Sequence, residues 1–169
     1  MERVLSGSRL IIVCGLPGSG KTTHAKRLAD RLGAVRFCPD EWMEALGIDL
    51  WDAEKRSRVE ALQWKQAQEL LERELTVIIE WGTWARAERD ALRFGARELG
   101  AAVELHVLTE PVELLLERIE RRGLENPRID RDALERWSAA FEAPTAEEMD
   151  LFDAPMSEFQ RMNRGRDDW

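Results

Sequence analysis

The stretch Gly15–Gly33 reads GLPGSGKTTHAKRLADRLG, and it constrains the architecture of this chain more than any other segment. Three glycines fall within its first six residues, a lysine and two threonines follow, and the remainder consists mostly of good helix formers. The apolar run RLIIVCG, at Arg9–Gly15, leads into it. A strand followed by a glycine-rich turn and a helix is typical of α/β domains in which the helix N-terminus faces a ligand.

The glycines and the lysine form a phosphate-binding loop, because Gly15, Gly20, Lys21 and Thr22 match G-x-x-x-x-G-K-[ST]. Glycine lets the backbone N–H groups of a helix N-terminus approach a phosphate, and the helix dipole favours its negative charge. We expect Lys21 to reach the β- and γ-phosphates and the Thr22 hydroxyl to bind Mg²⁺. The predicted nucleotide-binding residues are Gly15, Pro17, Gly18, Ser19, Gly20, Lys21, Thr22 and Thr23. The dinucleotide fingerprint G-x-G-x-x-G is absent from the sequence, so NAD binding is not expected.

Length and composition indicate one globular domain over residues 1–169, with 44% hydrophobic and 34% charged residues. No apolar run approaches the roughly 18 residues that a membrane span needs. The N-terminal apolar stretch is short enough to be a strand rather than a signal peptide, so a cytoplasmic protein is expected. The net charge of −8 disfavours nucleic acid as a partner, since binding to it requires surplus Lys and Arg. A small-molecule substrate is therefore expected, and the oligomeric state is left open.

The cysteines and histidines do not form a recognisable metal or disulfide pattern. Cys14 and Cys38 are too few for a disulfide framework and are not spaced as zinc ligands. Each follows an apolar run, which favours a buried small hydrophobe. His24 and His106 make no cluster, and His106 lies in an apolar run that predicts a core position.

Short apolar runs alternate with amphipathic stretches along the chain, which predicts a parallel sheet covered on both faces. The predicted strands are 9–15, 34–38, 76–82 and 102–108. The predicted helices are 22–32, 40–46, 52–74, 85–99 and 111–122. A fifth strand is common in such folds, but the segment after residue 152 does not resemble one, and the tail 153–169 is expected to be flexible in part.

Two acidic residues follow predicted strands at the sheet edge where α/β proteins bind ligands. Asp40 follows the second strand and Glu80 ends the third. An acid at such a position can accept a proton from a hydroxyl or hold Mg²⁺. Asp40 could alternatively cap a helix, with Glu41 and Glu44 as first-turn acids. A buried Glu80 has no such structural alternative, and Glu41 is a further candidate for contact with the substrate.

Aromatic and basic residues surround the same edge. Trp42, Trp81 and Trp84 could stack on a ring-bearing substrate, although core packing explains each of them equally well. Arg86 and Arg89 follow the third strand, and either the transferred phosphate or solvent could lie opposite them. Of this group, Trp42, Trp84, Arg86 and Arg89 are the candidate substrate residues.

The helix ending ERIERRG and the polar segment after it resemble a lid over the triphosphate, at about residues 117–135. Arg118 and Arg122 are four residues apart and share a helix face. Pro127 interrupts the segment that follows. An ordinary charged loop would have the same composition, so both readings remain open at this stage.

Taken together, these motifs resemble the small P-loop kinases that include zeta toxins, chloramphenicol phosphotransferase and the kinase domains of polynucleotide kinase and seryl-tRNA kinase. The elements that carry the resemblance are GLPGSGKTT, PDEW, IIEWGTWARAERD, RIERRG and WSAAFEAPTAEE, within residues 9–152. The resemblance implies a three-layer P-loop NTPase fold of the nucleoside-kinase type, with four to five parallel strands and a helical lid. It also implies that ATP and Mg²⁺ are bound.

Carried over by position, the resemblance makes Asp40 the acid that deprotonates the acceptor hydroxyl. Lys21 and Thr22 correspond to the phosphate and magnesium residues, and Arg118 and Arg122 to lid arginines that contact nucleotide. Relatives usually have Asp where this chain has Glu80, which puts its role as a metal ligand in doubt. The catalytic residues implied are Asp40, Lys21, Arg118 and Arg122, and the metal ligands implied are Thr22 and Glu80.

These observations favour an ATP-dependent phosphotransferase that acts on a hydroxyl of a small molecule such as an antibiotic, sugar, nucleoside or metabolite. A polynucleotide or tRNA kinase is the alternative within the same fold, and the acidic balance of the chain weighs against it. A nucleotide-dependent switch that transfers no phosphate is an alternative of another class.

Overall fold

Four parallel strands and seven helices follow one another in the described part of the chain, residues 7–123 and 128–156 of this computed structural model. The strands are β1 (Arg9–Gly15), β2 (Val35–Phe37), β3 (Thr76–Ile79) and β4 (Ala102–Leu108). The helices are α1 (Lys21–Leu32), α2 (Pro39–Ala45), α3 (Ala53–Glu72), α4 (Arg86–Glu98), α5 (Val112–Arg122), α6 (Arg131–Ala140) and α7 (Ala146–Met149).

The predicted elements are confirmed, with small shifts at their ends. The third strand stops at Ile79 rather than at Gly82, so Glu80 is the first residue after β3. Its backbone N–H still donates to the Phe37 carbonyl, at 3.0 Å, which continues the ladder with β2 by one bond. The sequence did not specify α6 and α7 as helices.

The strands run in the order β2-β3-β1-β4 and all pair in parallel. β1 is central: Ile11 lies opposite Ile78 of β3 on one side and Glu104 of β4 on the other. The carboxyl ends of β1 and β3 are therefore neighbours. In open α/β sheets ligands bind outside the carboxyl ends of the strands, so this order places the glycine-rich loop and Glu80 at one site.

Helices cover both faces of the sheet, as the near-continuous apolar strands predict. Leu10, Ile12 and Cys14 of β1 pack in one core cluster with residues of α3 and α4. Ile11 and Val13 point the other way and pack with residues of α1. A third cluster joins the glycine-rich loop to α5 and α6. The architecture is a three-layer α/β/α fold.

Both cysteines are buried and free, as the sequence predicts. Burial raises the pKa of the Cys14 thiol to about 11. A thiol with so high a pKa is protonated at neutral pH and is a poor nucleophile. Cys14 is therefore a packing residue.

The segment after α7 borders the free edge of β4, where a fifth strand would lie. The Asp153 backbone N–H donates to the Val103 carbonyl at 2.7 Å, and the Asp153 carboxylate accepts from the Val103 N–H at 2.6 Å. Arg97 pairs with the same carboxylate at 2.7 Å. The first residues of the predicted flexible tail, 153–156, are thus attached to the sheet, and 157–169 lie outside the described residues.

Three polar side chains form a hydrogen-bonded row that connects β4 to α1. His106 belongs to this row and is not the apolar core residue that the sequence predicted. His106 Nε2 lies 2.8 Å from the Glu104 carboxylate, and its Nδ1 lies 2.8 Å from His24 Nε2. Arg9 completes the charge balance, 2.5 Å from Glu104, which is 2% exposed. Because Glu104 accepts the Nε2–H of His106, the Nδ1 of a neutral His106 accepts a hydrogen bond from His24 Nε2–H.

We expect this row of hydrogen-bonded side chains to make the stability of the protein depend on pH. Burial, together with the His106 imidazole, lowers the pKa of His24 in the folded protein. A lowered folded-state pKa means that the unfolded chain binds the proton more readily, so stability is complete above about pH 6.5 and falls as the pH drops below that value. Thermal melts between pH 7.5 and 5.5 should show a smaller loss in His24→Gln than in the unchanged chain. Equal losses would contradict this assignment.

The helical parts of the predicted lid, at the end of α5 and the start of α6, are packed. Ile119 of α5 is 3% exposed and Leu134 of α6 is fully buried, both in the third core cluster. Residues 124–127, in the middle of the predicted lid, lie outside the described residues. None of the helices in the described ranges has both the length and the hydrophobicity that crossing a bilayer requires.

Candidate active site

The glycine-rich loop connects β1 to α1 and presents the first turn of α1 to the carboxyl edge of the sheet. Gly20 is the residue before α1 and has φ 92°, and Gly18 has φ 81°. Both angles lie in the left-handed region, which glycine enters at little cost. No side chain caps α1. Its first backbone N–H groups are therefore available to bind an anion, with the helix dipole behind them.

Gly18 is also fixed by a neighbouring helix. A Cβ added at Gly18 would lie 2.8 Å from the Leu115 carbonyl oxygen of α5. Real Cβ atoms do not approach backbone this closely, so the loop and α5 pack without room for a side chain. The glycine pattern therefore serves packing as well as access to phosphate.

Lys21 is the first residue of α1, and its ammonium group lies at the loop. Lys21 Nζ donates to the Leu16 carbonyl at 3.1 Å. Burial lowers the pKa of Lys21, and the negative charges of Glu80 and Asp40 oppose that effect. The ammonium group thus contacts the loop, and the charges of two carboxylates favour its protonated form.

Thr22 and Glu80, the two predicted magnesium ligands, are in direct contact. The Thr22 hydroxyl donates to Glu80 Oε1, and Glu80 is 5% exposed. A hydroxyl and a carboxylate are hard oxygen ligands of the kind that Mg²⁺ takes alongside phosphate oxygens and water. Elsewhere in the described chain, no group of three or more His, Cys, Asp or Glu side chains could hold a metal. Mg²⁺ therefore fits at Thr22 and Glu80 together with a nucleotide, rather than in a cage made by protein alone.

Arg36 neutralises the buried Glu80, and the sequence analysis did not identify it. Arg36 Nη1 lies 2.5 Å from Glu80 Oε2, and its Nη2 lies 2.6 Å from Glu41. Lys26 pairs with Glu41 as well, at 3.3 Å. Burial works against the charge on Arg36, but hydrogen bonds to both carboxylates raise its pKa overall. The sequence feature that could have pointed to Arg36 is its position as the one charged residue in the short apolar strand AVRFC.

Asp40 stands in the first turn of α2, at the same edge. The residue that precedes α2 is Cys38, so Asp40 is not the N-cap that the structural alternative proposed. Its carboxylate pairs with Arg56 Nη2 of α3 at 2.6 Å and remains 56% exposed. The group is therefore held in place by one cation and remains open to a substrate.

The predicted tryptophan cluster divides into two groups. Trp42 packs edge-on against Phe37 with centroids 6.0 Å apart, and Trp81 donates to Gln63 at 2.9 Å. Trp84 instead lies 5.9 Å from Trp137 of α6. The first group packs against the main core, and only the second extends towards α6.

The expectation that Arg89 faces either phosphate or solvent is wrong. Arg89 is fully buried and forms a two-point ion pair with Glu148, at 2.6 and 3.0 Å. Its remaining N–H groups donate to the carbonyls of Thr83, Trp84 and Glu142. A guanidinium with all these partners is structural, and it holds the loop after β3 in place.

Arg86 is exposed and lies 3.5 Å from Asp90.

The two predicted lid arginines differ in position. Arg118 reaches the glycine-rich loop, where Nη1 donates to the Gly18 carbonyl at 3.2 Å and Nη2 to Glu110 at 3.1 Å. Arg122 is exposed at the last turn of α5. Arg118 therefore adjoins the phosphate-binding loop.

A strand–loop–helix phosphate cradle with a lysine, a hydroxyl and a carboxylate at the edge of a 2-3-1-4 sheet defines a P-loop kinase-like domain. The chain belongs to the AAA domain family, whose model matches residues 10–144. No curated protein sequence matches it at a significant level.

Solved structures share this fold. A chain of the Pnkp1/Rnl/Hen1 RNA repair complex matches with a TM-score of 0.69 and 23% identity, over 86% of this chain and 46% of that one. This chain thus spans about half of that protein. A sugar kinase from Janibacter sp. matches with a TM-score of 0.62 and 25% identity, over 94% and 92%. Kti12 of Chaetomium thermophilum, in complex with ADP-AlF3, matches with a TM-score of 0.64 and 23% identity, over 91% and 94%.

Proposed function

We propose that the protein is an ATP-dependent phosphotransferase that moves the γ-phosphate of ATP to a hydroxyl of a small molecule. The observation that carries the proposal is the placement of Lys21 and Asp40 at one edge of the sheet. The carboxylates of Glu80 and Asp40 both favour the protonated, positively charged form of Lys21. A cation for the phosphates and an open carboxylate for the acceptor are the two groups that phosphoryl transfer to an alcohol needs.

On this proposal, the loop and α1 hold the phosphates through backbone N–H groups. Lys21 neutralises charge on the β- and γ-phosphates, and Arg118, already at the loop, stabilises the transferring group. Mg²⁺, held by Thr22 and Glu80, would supply further neutralisation of the phosphate charge when bound. Arg36 pairs with Glu80 and holds its carboxylate in place.

Asp40 acts on the acceptor. Its carboxylate accepts the proton of the acceptor hydroxyl while the oxygen forms a bond to the γ-phosphorus. The bond from that phosphorus to the β–γ bridging oxygen breaks, and ADP leaves with the electron pair. Arg56 of α3 holds the carboxylate in place through an ion pair at 2.6 Å. Arg122, Glu41, Trp42, Trp84 and Arg86 remain candidate contacts for nucleotide or acceptor.

The experiment that tests the proposal uses ATP labelled at the γ-phosphate with a panel of sugars, nucleosides, amino alcohols and a 5′-hydroxyl oligonucleotide. We expect label in a phosphate ester of one small alcohol. Asp40→Asn should lower that transfer about 10²-fold, because it removes the proton acceptor, and leave nucleotide affinity unchanged. Glu44→Gln, an exposed carboxylate of the same helix, is the matched control and should transfer normally.

Two outcomes would contradict the proposal. Label confined to inorganic phosphate, at a rate that Asp40→Asn does not change, would favour a nucleotide-dependent switch. Label in the oligonucleotide alone would favour a polynucleotide kinase.

A further inference from the structure

The acceptor side of the site carries more negative than positive charge. The charges of Asp40 of α2 and Glu88 of α4 act on Glu60 of α3, and so does the opposite charge of Arg56. Arg56 is already engaged by Asp40 at 2.6 Å. Two carboxylates and one guanidinium therefore act on the Glu60 carboxylate, so negative charge is in excess around it.

Glu60 itself has no hydrogen-bond or ion-pair partner within the described ranges, although it is half-buried. Burial raises its pKa, and the charges of Glu88 and Asp40 act in the same direction. A half-buried carboxylate without a partner is costly in a folded protein. A cationic group of a ligand would remove that cost.

A second unpaired group lies on the same face of α3. Arg56, Glu60 and Gln63 are at helical positions i, i+4 and i+7, and Gln63 is fully buried. Its Oε1 accepts from Trp81 at 2.9 Å, but its Nε2 has no partner in the structure. Buried polar atoms without partners are rare, and they mark places where a ligand or water belongs.

Three tryptophan rings pack together, and the first of them directly follows Leu50, which Arg56 contacts. Trp51 stacks on Trp137 with centroids 5.9 Å apart and planes at 28°, and Trp84 lies 5.9 Å from Trp137 on another side. The array is linked to Asp40 by Arg56, whose Nη2 also donates to the carbonyl of Leu50, the residue before Trp51. Arg56 thus connects the proposed base, Asp40, to the segment that carries the first ring.

We propose that the acceptor is a cationic, ring-bearing alcohol such as an amino sugar or aminocyclitol, bound with its ring against the tryptophans and its ammonium group at Glu60. This inference rests on the proposed function, because it places the reacting hydroxyl at Asp40. Aromatic faces attract cations and the apolar faces of sugar rings, and surplus carboxylates attract ammonium groups. The same charge repels polyanions and anionic sugars.

The test measures binding, which separates it from the transfer experiment. D-glucosamine, D-glucose and D-glucuronate are pyranoses that differ in charge, and each is titrated calorimetrically into the full chain at low ionic strength. We expect glucosamine to bind about tenfold more tightly than glucose, which is the scale of one cation in such a site, and glucuronate to bind more weakly than glucose.

Glu60→Gln identifies the carboxylate responsible. It should bring glucosamine to the affinity of glucose and leave glucose within about twofold. Glu69→Gln removes an exposed carboxylate from the same helix and should preserve the preference. Since Glu60 has no partner, its substitution should not lower the melting temperature, so lost binding cannot be attributed to unfolding.

The inference is overturned if none of the three sugars binds, if glucuronate binds as well as glucosamine, or if Glu60→Gln keeps the preference. Glucosamine binding that depends on Glu60, without any labelled ester in the transfer experiment, would sustain the site and contradict the proposed function instead.

Discussion

Lys21→Met should lower phosphate transfer from ATP by about 10³-fold, the largest effect on activity that we expect from one substitution. Methionine has nearly the length of lysine and no charge, so it removes the ammonium group while filling the space. Lys21 Nζ donates a hydrogen bond to the Leu16 carbonyl, and the charges of the Glu80 and Asp40 carboxylates act on it. Without the cation, the phosphates of ATP would meet these carboxylates unshielded.

The matched control is Lys65→Met, which removes an exposed ammonium group from α3. Its turnover of ATP should stay within about twofold of the unchanged protein, as is usual for surface substitutions. The measurement is initial rate against ATP concentration for all three proteins. A Lys21→Met protein that keeps more than about a tenth of the rate would refute the role given to the lysine.

Arg89→Met should lower the free energy of unfolding by about 3–5 kcal/mol, the largest effect on stability that we expect. The substitution leaves the Glu148 carboxylate, which is 1% exposed, without a cation. It also removes the donors to the carbonyls of Thr83, Trp84 and Glu142. Urea denaturation followed by circular dichroism measures the loss.

Two further variants test the cause of this effect. Arg86→Met, on the exposed side of the same helix, should change stability by no more than about 0.5 kcal/mol. The double variant Arg89→Met with Glu148→Leu removes both charges and should recover part of the loss, because an apolar pair has no ion to desolvate. A loss below about 1 kcal/mol in Arg89→Met alone would show that the pair contributes little.

The parts of the fold that depend on neighbouring residues could be predicted from the sequence. The strand at 9–15, the glycine-rich loop and α1 are specified by a continuous stretch, because glycine conformations and helix propensity act locally. The alternation of apolar runs with amphipathic stretches likewise predicted a parallel sheet covered on both faces. The placement of Asp40 and Glu80 at the carboxyl edge followed from that sheet.

The parts that depend on distant residues could not be predicted. Nothing near Arg89 in the sequence indicates that Glu148, 59 residues later, folds against it. For the same reason Arg36, between Glu80 and Glu41, was missed, and His106 was assigned to the apolar core instead of to a bond with His24. The sequence shows which side chains are charged, but the tertiary structure determines which partner each of them pairs with.

The central claim is that the backbone of the loop and the ammonium group of Lys21 together hold the triphosphate of a nucleotide. Calorimetric titration of the purified protein with ATP and Mg²⁺ tests it most directly. We expect saturable binding of one nucleotide per chain, retained in Lys65→Met and lost in Lys21→Met. Absence of saturable binding to the unchanged protein, or undiminished binding to Lys21→Met, would contradict it.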